Sequence, residues 1–187
     1  MKKANSRSCD MSFAAVYLWK DFYLLEYTVC EDMLIFRTTE DGSSYSFPIG
    51  DASPKKALLA LEAHCKENEE PLKLHCVYRE NEAWLEEHMP GKFEIEFDRD
   101  SADYIYECEK LIGLKGKKFH GKKNHVNKFI KTYDWAYEKI TDDNIDDCLA
   151  MLYKWKEINC EPGNIEKHAE ACVSENALRD REFLGLK

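Results

Sequence analysis

The chain has no apolar run approaching the roughly 18 to 20 residues that a helix needs to cross a bilayer, so no membrane span is expected. It has no Cys-x-x-Cys pair either. Its eight cysteines, at positions 9, 30, 65, 76, 108, 148, 160 and 172, stand apart, as buried thiols do in a cytosolic chain of this size. His64-Cys65 and His75-Cys76 repeat a dipeptide, but adjacent residues point to different faces, so neither pair converges on one ion and no metal site is expected. The opening Met1-Lys2-Lys3-Ala4-Asn5-Ser6-Arg7 is basic, yet polar residues follow where a secretory signal has its apolar stretch, which points to a cytoplasmic location. No Ser-His-Asp or Cys-His spacing stands out. Cys108 near Asp103 is expected to be a half-buried thiol rather than a nucleophile.

The most informative lack is local. Between Lys115 and Lys131 there is no carboxylate at all, while seven lysines and two histidines crowd into the segment. Outside it, 20 basic residues face 36 acidic ones. An acidic surface repels phosphate and nucleic acid, so one stretch kept clear of acids is an electrostatic footprint for an anionic partner or substrate.

What is present suffices for a core: 187 residues, 44% hydrophobic and 12% aromatic, which argues against wholesale disorder. Ser12 to Trp19 combines a capping serine with an apolar stripe of Phe13, Val16 and Tyr17, a short helix. Strand-like runs follow at 23–29, 33–38 and 44–49, the last two split by the hairpin signal Glu40-Asp41-Gly42-Ser43. Ser53-Pro54 supplies an N-cap and a first-turn proline for a helix ending near Glu69, with Ala57, Leu58, Leu61 and Cys65 on one face. A strand is expected over 72–77 and a helix over 80–89 with Trp84, Leu85 and Met89 inward. Phe93-Glu94-Ile95-Glu96-Phe97 has the period-two pattern of a half-buried strand, and 104–106 reads as one more.

This order predicts an α/β (α+β) fold, an acyl-CoA N-acyltransferase-like (GNAT) mixed sheet flanked by helices and lacking only a first strand. Order alone says little about chemistry. After the basic segment, 135–140 reads as a strand and Thr141-Asp142-Asp143 as a helix start. Ile145, Cys148, Leu149, Leu152, Trp155 and Ile158 then form one helical face, stopped by Glu161-Pro162-Gly163, and a second helix follows over 165–181. The expected organisation is an N-terminal domain over 1–108, a basic connector helix over 109–133, and the opening of a second, incomplete domain over 134–187.

At 100° per residue, the connector places Phe119, Val126, Ile130 and Tyr133 on one side, expected to pack. Lys117, Gly121, Asn124, Lys128 and Lys131 lie opposite, flanked by His120 and Asn127. Three readings stay open. The lysines face water on a linker helix; or they contact phosphates of tRNA or anionic lipid headgroups; or Gly116-x-x-x-x-Gly121-Lys122 is a phosphate loop, although Lys123 stands where such a loop has its Ser or Thr. The candidate anion-binding set is Lys117, Lys118, His120, Lys122, Lys123, Asn124, Asn127, Lys128 and Lys131. Asp100, Asp103, Tyr104 and Tyr106 form a weaker candidate set for a substrate amine. With Asp98, the acids have a competing role in capping a turn, and the two tyrosines are expected to pack. The turn Gly50-Asp51-Ala52-Ser53-Pro54 has one glycine, one acid and a proline without N–H, which disfavours coenzyme A; no cofactor is expected.

The runs Asp103-Tyr104-Ile105-Tyr106, Leu111-Ile112-Gly113-Leu114-Lys115-Gly116-Lys117-Lys118-Phe119-His120 and Lys123-Asn124-His125-Val126-Asn127-Lys128-Phe129 resemble the junction motif of a bacterial family. It is the family named for the C-terminal domain of phosphatidylglycerol lysyltransferase. Tyr17-Leu18-Trp19-Lys20 and Phe47-Pro48-Ile49-Gly50 resemble it too, so the similarity spans nearly the whole chain. The resemblance implies two tandem acyltransferase-type domains joined through the basic element. It also implies movement of an aminoacyl group from aminoacyl-tRNA to an amine or hydroxyl acceptor, with a lipid acceptor disfavoured in a chain without a membrane span. It implies finally that the chain stops short of the second domain's sheet and is inactive alone, its partners being a missing C-terminal domain or a complementary chain. The competing expectation is a non-catalytic module that binds nucleic acid or another polyanion through 115–131.

Overall fold

The computed structural model describes residues 8–39 and 42–185. Ser12 caps the first helix, α1 (Phe13–Trp19), its hydroxyl accepting from the Ala15 amide at 3.1 Å. Strands β1 (Glu26–Cys30) and β2 (Met33–Thr38) pair antiparallel from Glu26 opposite Arg37 to Cys30 opposite Met33. That register leaves a two-residue turn, and Glu31 (φ 52°) and Asp32 (φ 60°) both lie in the left-handed region it requires. The sequence carries no Asn-Gly signal there, so this turn was not foreseen. Of the hairpin signal at 40–43, Glu40 and Asp41 lie outside the described residues, and Gly42 has φ 88°.

Strand β3 (Ser44–Ser46) pairs antiparallel with β2 and parallel with β4 (Leu74–His75), giving the order β1-β2-β3-β4. Both β3 and β4 are shorter than expected. Ile49 still exchanges backbone hydrogen bonds with Leu34, at 2.8 and 2.9 Å. Between the parallel strands runs α2 (Pro54–Glu67), and beyond β4 comes α3 (Arg79–His88), where Asn81 accepts from the Tyr78 amide.

The expected helical faces are the buried ones. Met33, Ile35, Tyr45 and Phe47 of the sheet meet Ala57, Leu58, Leu61 and Cys65 of α2, and Leu85 and Met89 close the cluster, with Trp84 and Phe93 partly buried against it. Gly50 sits against β2 so tightly that a Cβ there would lie 2.9 Å from the Met33 Sδ and 3.0 Å from the Asp32 carbonyl oxygen. The one fully buried serine, Ser46, accepts from the Phe36 amide at 3.0 Å, so its hydroxyl is satisfied. The sheet with its helices is the mixed α+β arrangement expected of an acyl-CoA N-acyltransferase-like fold.

Downstream come α4 (Cys108–Gly113), a 3-10 turn over Lys117–Phe119, α5 (His120–Thr132), α6 (Ile145–Asn159) and α7 (Ile165–Arg179). Asn164 caps α7 through the Lys167 amide, and Leu149, Leu152 and Ala171 are buried. By contacts the chain divides into two units: residues 1–97 with 146–187, and residues 98–145. These divisions fall at other points than the expected 108 and 133. Within the first unit the Tyr17 hydroxyl donates to Asp180 Oδ2 at 3.1 Å, and Phe13, Tyr17 and Phe183 cluster.

Three expected strands are absent. Residues 93–97, 104–106 and 135–140 are irregular, and none pairs with another strand among the described residues. Period-two alternation fits a residue to a pleated surface, but a strand exists only when its main chain finds a ladder partner. The cysteines also depart from expectation: all eight are free, only Cys65 is fully buried, and Cys9, Cys108 and Cys172 are exposed.

Candidate functional site

The basic segment folds in two pieces rather than as one continuous helix. Leu114 adopts the left-handed conformation (φ 43°) that ends α4, and Gly116 (φ 92°) turns the chain into the 3-10 turn. Phe119, the one buried residue of the second unit, closes that turn. Gly121 is the second residue of α5, so it marks the helix start rather than an interior kink. Because Lys110–Gly113 are helical, the strand-loop-helix context of a phosphate loop is missing.

Within α5, His120, Asn124, Asn127, Lys128 and Lys131 share one side, and Val126, Phe129 and Ile130 share the other, with Lys123 at a border and Lys122 on the apolar side between Phe129 and Val126. All of these are exposed, as are Lys117 and Lys118 in the turn before. The expected packing of Val126, Ile130 and Tyr133 is therefore overturned. Phe119 falls outside the helical phase assumed for it, and Phe129, although 5.2 Å from the Tyr133 ring and 6.3 Å from the Trp135 ring, stays exposed with the rest. The helix is amphipathic with both faces open.

The weaker candidates sit in the same unit. Asp98 accepts from the Ser101 hydroxyl and from the Asp100 amide, the latter at 2.9 Å, and these bonds, the hydroxyl's foremost, hold its carboxyl below the usual carboxylate range. Asp98 thus has the turn-capping role, and Asp100 lends it a backbone N–H. Tyr104 and Tyr106 stack with centroids 6.5 Å apart, so they share a face as their spacing required. They are not packed into a core: Tyr104 is 78% exposed. Each carries a cation instead, the Arg99 guanidinium 5.8 Å from the Tyr104 centroid and the Lys122 ammonium 5.9 Å from that of Tyr106. Lys122 is the one member of the basic set so engaged, and it ties the two candidate sets together through Tyr106.

One polar pair escaped sequence reasoning. Ser44 Oγ and His75 Nδ1 lie 2.9 Å apart as diagonal neighbours across the β3–β4 pair, 31 positions apart in the chain. Burial lowers the His75 pKa, with the Asp10 carboxylate pulling weakly the other way. Burial also pushes the neighbouring Cys76 thiol up to about 11, which makes it a poor nucleophile at neutral pH. The pair pins a two-residue strand to its neighbour. Because burial disfavours imidazolium, the unfolded chain binds more protons than the folded one just below the ordinary histidine value of 6.5. This contribution is complete above pH 6.5 and is lost as pH falls from there toward the lower folded pKa. In urea unfolding at about pH 5 and about pH 8, His75→Gln should narrow the gap in midpoint between the two conditions. An unchanged gap would remove the histidine from the account.

Among the described residues no three His, Cys, Asp or Glu side chains gather as a metal site would require, and no helix is long and apolar enough to cross a membrane. Two concavities of the first unit are open, a polar one around Glu161–Glu166 and an apolar groove lined by Trp19, Met151, Leu152, Trp155 and Val173. The Lys167 ammonium sits 5.6 Å from the Trp155 ring centroid and 2.9 Å from Glu170, so the cation and the acid beside that groove satisfy each other.

The family described as "Phosphatidylglycerol lysyltransferase, C-terminal" matches residues 2–187. A crystal structure of a conserved protein of unknown function from Bacteroides thetaiotaomicron superposes with a TM-score of 0.86 at 33% identity, over 98% of this chain and 62% of that one. An uncharacterized protein of Mycoplasmoides gallisepticum is 33% identical over 63 residues, which is 33% of this chain and 20% of that protein. The chain thus spans less than two thirds of the length of either relative.

Proposed function

Because the chain belongs to the phosphatidylglycerol lysyltransferase C-terminal family, we propose that it serves aminoacyl transfer from aminoacyl-tRNA to an amine or hydroxyl acceptor. In that reaction the acceptor attacks the aminoacyl ester carbonyl. The ester bond to the terminal ribose oxygen breaks, and the acceptor's proton leaves with that oxygen. The share assigned to this chain is to hold the tRNA: Lys117, Lys118, Lys123, Lys128 and Lys131 meet backbone phosphates, while Asn124 and Asn127 supply neutral donors between them. Asp100, Asp103, Tyr104 and Tyr106 are the candidates for holding the amine of the transferred group. Transfer itself is assigned to the longer assembly, so the chain alone is expected to be inactive.

The observation that supports this reading is the acid-free, solvent-open lysine face of α5 in a chain of net charge −9. A second reading rests on the same face: a non-catalytic module that binds nucleic acid or another polyanion.

Filter binding with tRNA over a salt series tests both. Four to six neutralised phosphates predict a log–log slope of about −3 to −5. A slope near zero would remove both readings and leave a solvated linker helix. An aminoacyl-transfer assay on a longer chain that includes these residues then separates enzyme from module.

A further inference from the structure

Strand β1 is a free edge of the sheet, and its pairing with β2 shows which main-chain groups it leaves over. Leu34, the cross-strand partner of Val29, gives its N–H and C=O to Ile49, and the Phe36 amide, opposite Tyr27, goes to the Ser46 hydroxyl. Partners engaged elsewhere in this way are the non-hydrogen-bonded pairs of an antiparallel ladder. The amides and carbonyls of Tyr27 and Val29 therefore point away from β2. Among the described residues no main-chain group outside the β1–β2 ladder meets them. Their side chains are open too, 75 and 67% exposed. Folded proteins shield such an edge with lysine, proline, a bulge or a covering segment. β1 carries no lysine or proline, its register runs without a break, and its one charge, Glu26, is held by Arg37 at 3.4 Å.

We propose that β1 pairs antiparallel with β1 of a second copy about a two-fold axis through Thr28, joining the two sheets edge to edge. In that register every outward amide and carbonyl of Tyr27 and Val29 is satisfied, because Tyr27 lies opposite Val29 of the partner subunit and the exchange occurs on both sides of the axis. The side chains match as well. Each aromatic ring meets a β-branched residue, a favourable cross-strand pair, and Glu26 falls opposite Cys30, so no two carboxylates meet. Neighbouring registers fit worse. An axis at Tyr27 sets Val29 against Leu25, whose amide already goes to the Lys20 carbonyl. An axis at Val29 sets Tyr27 against Glu31, which lies in the left-handed turn. A strand whose own sequence completes its edge favours a second copy over an unrelated chain. Each copy spends its β1 edge, so the assembly closes at a dimer. The contact is one short strand pair, smaller than a standard interface, and the dimer is accordingly weak. None of the α5 lysines takes part, so this interface stands or falls separately from the proposed function.

Sedimentation of the full chain from micromolar to submillimolar concentration, with amide exchange read by NMR on the same samples, tests it. Mass should rise toward the dimer. The Tyr27 and Val29 amides should slow as it does, while those of Thr28 and Cys30, which face β2, stay protected throughout. Thr28 is exposed and meets its own counterpart only in this register. Thr28→Lys and Thr28→Glu each bring like charges together on the axis, and each should weaken the dimer at least about tenfold. An equimolar mixture of the two should recover it, because lysine then faces glutamate. A parent that stays monomeric over the whole range overturns the proposal and leaves the edge to another chain. So does a dimer that neither variant weakens, which would form elsewhere on the surface. A mixture that fails to recover, with both variants keeping the parent's urea midpoint, overturns the axis at Thr28. Where a variant loses its fold, the parent decides alone: Tyr27 and Val29 amides indifferent to concentration overturn the proposal.

Discussion

Cutting Leu58 back to alanine should lower the stability of the first unit by about 3 kcal/mol, within the roughly 2 to 5 kcal/mol range for emptied core sites. Leu58 is fully buried on α2 and meets the inner face of the sheet in one continuous cluster with Met33 and Ile35. Truncation removes transfer free energy and leaves a cavity that close-packed β2 neighbours fill poorly. For a chain of this length the loss should appear as a melting point lower by about 6 to 12 °C. The urea midpoint should fall with the slope unchanged. Leu59, its neighbour on the same helix, is 46% exposed, and Leu59→Ala should stay within about 0.5 kcal/mol of the parent. Equal effects from the two variants would mean that α2 does not face the sheet as described.

The second large effect concerns binding rather than folding. Replacing Lys117, Lys123, Lys128 and Lys131 together by glutamine should reduce tRNA affinity by about a hundredfold or more near 0.1 M salt, and flatten the salt slope to about −1 or shallower. All four side chains are exposed, and none takes part in an ion pair among the described residues, so their loss removes no internal contact. Glutamine matches lysine closely in helix propensity, so α5 should persist by circular dichroism. Charge-reversing or charge-neutralising four lysines elsewhere on the chain provides the reference for a purely global effect. If that reference variant loses as much affinity, the face of α5 is not the docking surface.

The elements legible in the sequence were those whose cause is local. β2 spans the strand-like run expected over 33–38, and α2 starts at the Ser53-Pro54 signal and buries the four residues its periodicity selected. The β1–β2 turn was hidden because Glu31 and Asp32 adopt left-handed conformations without a glycine to advertise them. The Ser44–His75 pair was hidden because only the parallel β3–β4 alignment brings the two residues together. Residues 93–97, 104–106 and 135–140 show the opposite failure: their pattern is strand-like, but pairing is a property of two segments and the sequence describes one. At the candidate site, charge segregation was legible and side-chain cover was not. An apolar stripe states which side could be buried, while burial itself depends on what else is present.

The parallel pairing of β3 with β4 also sets an order in time. β1, β2 and β3 join through short turns, so their ladders close small loops at little entropic cost. β4 reaches β3 only across the whole of α2, and it brings two residues to the ladder. Non-local pairing of that kind is slow to form and weakly rewarded once formed. The antiparallel meander therefore acts as the early nucleus, with the α2 crossover closing afterwards, and the β4 edge is the part of the sheet that opens first when the fold breathes.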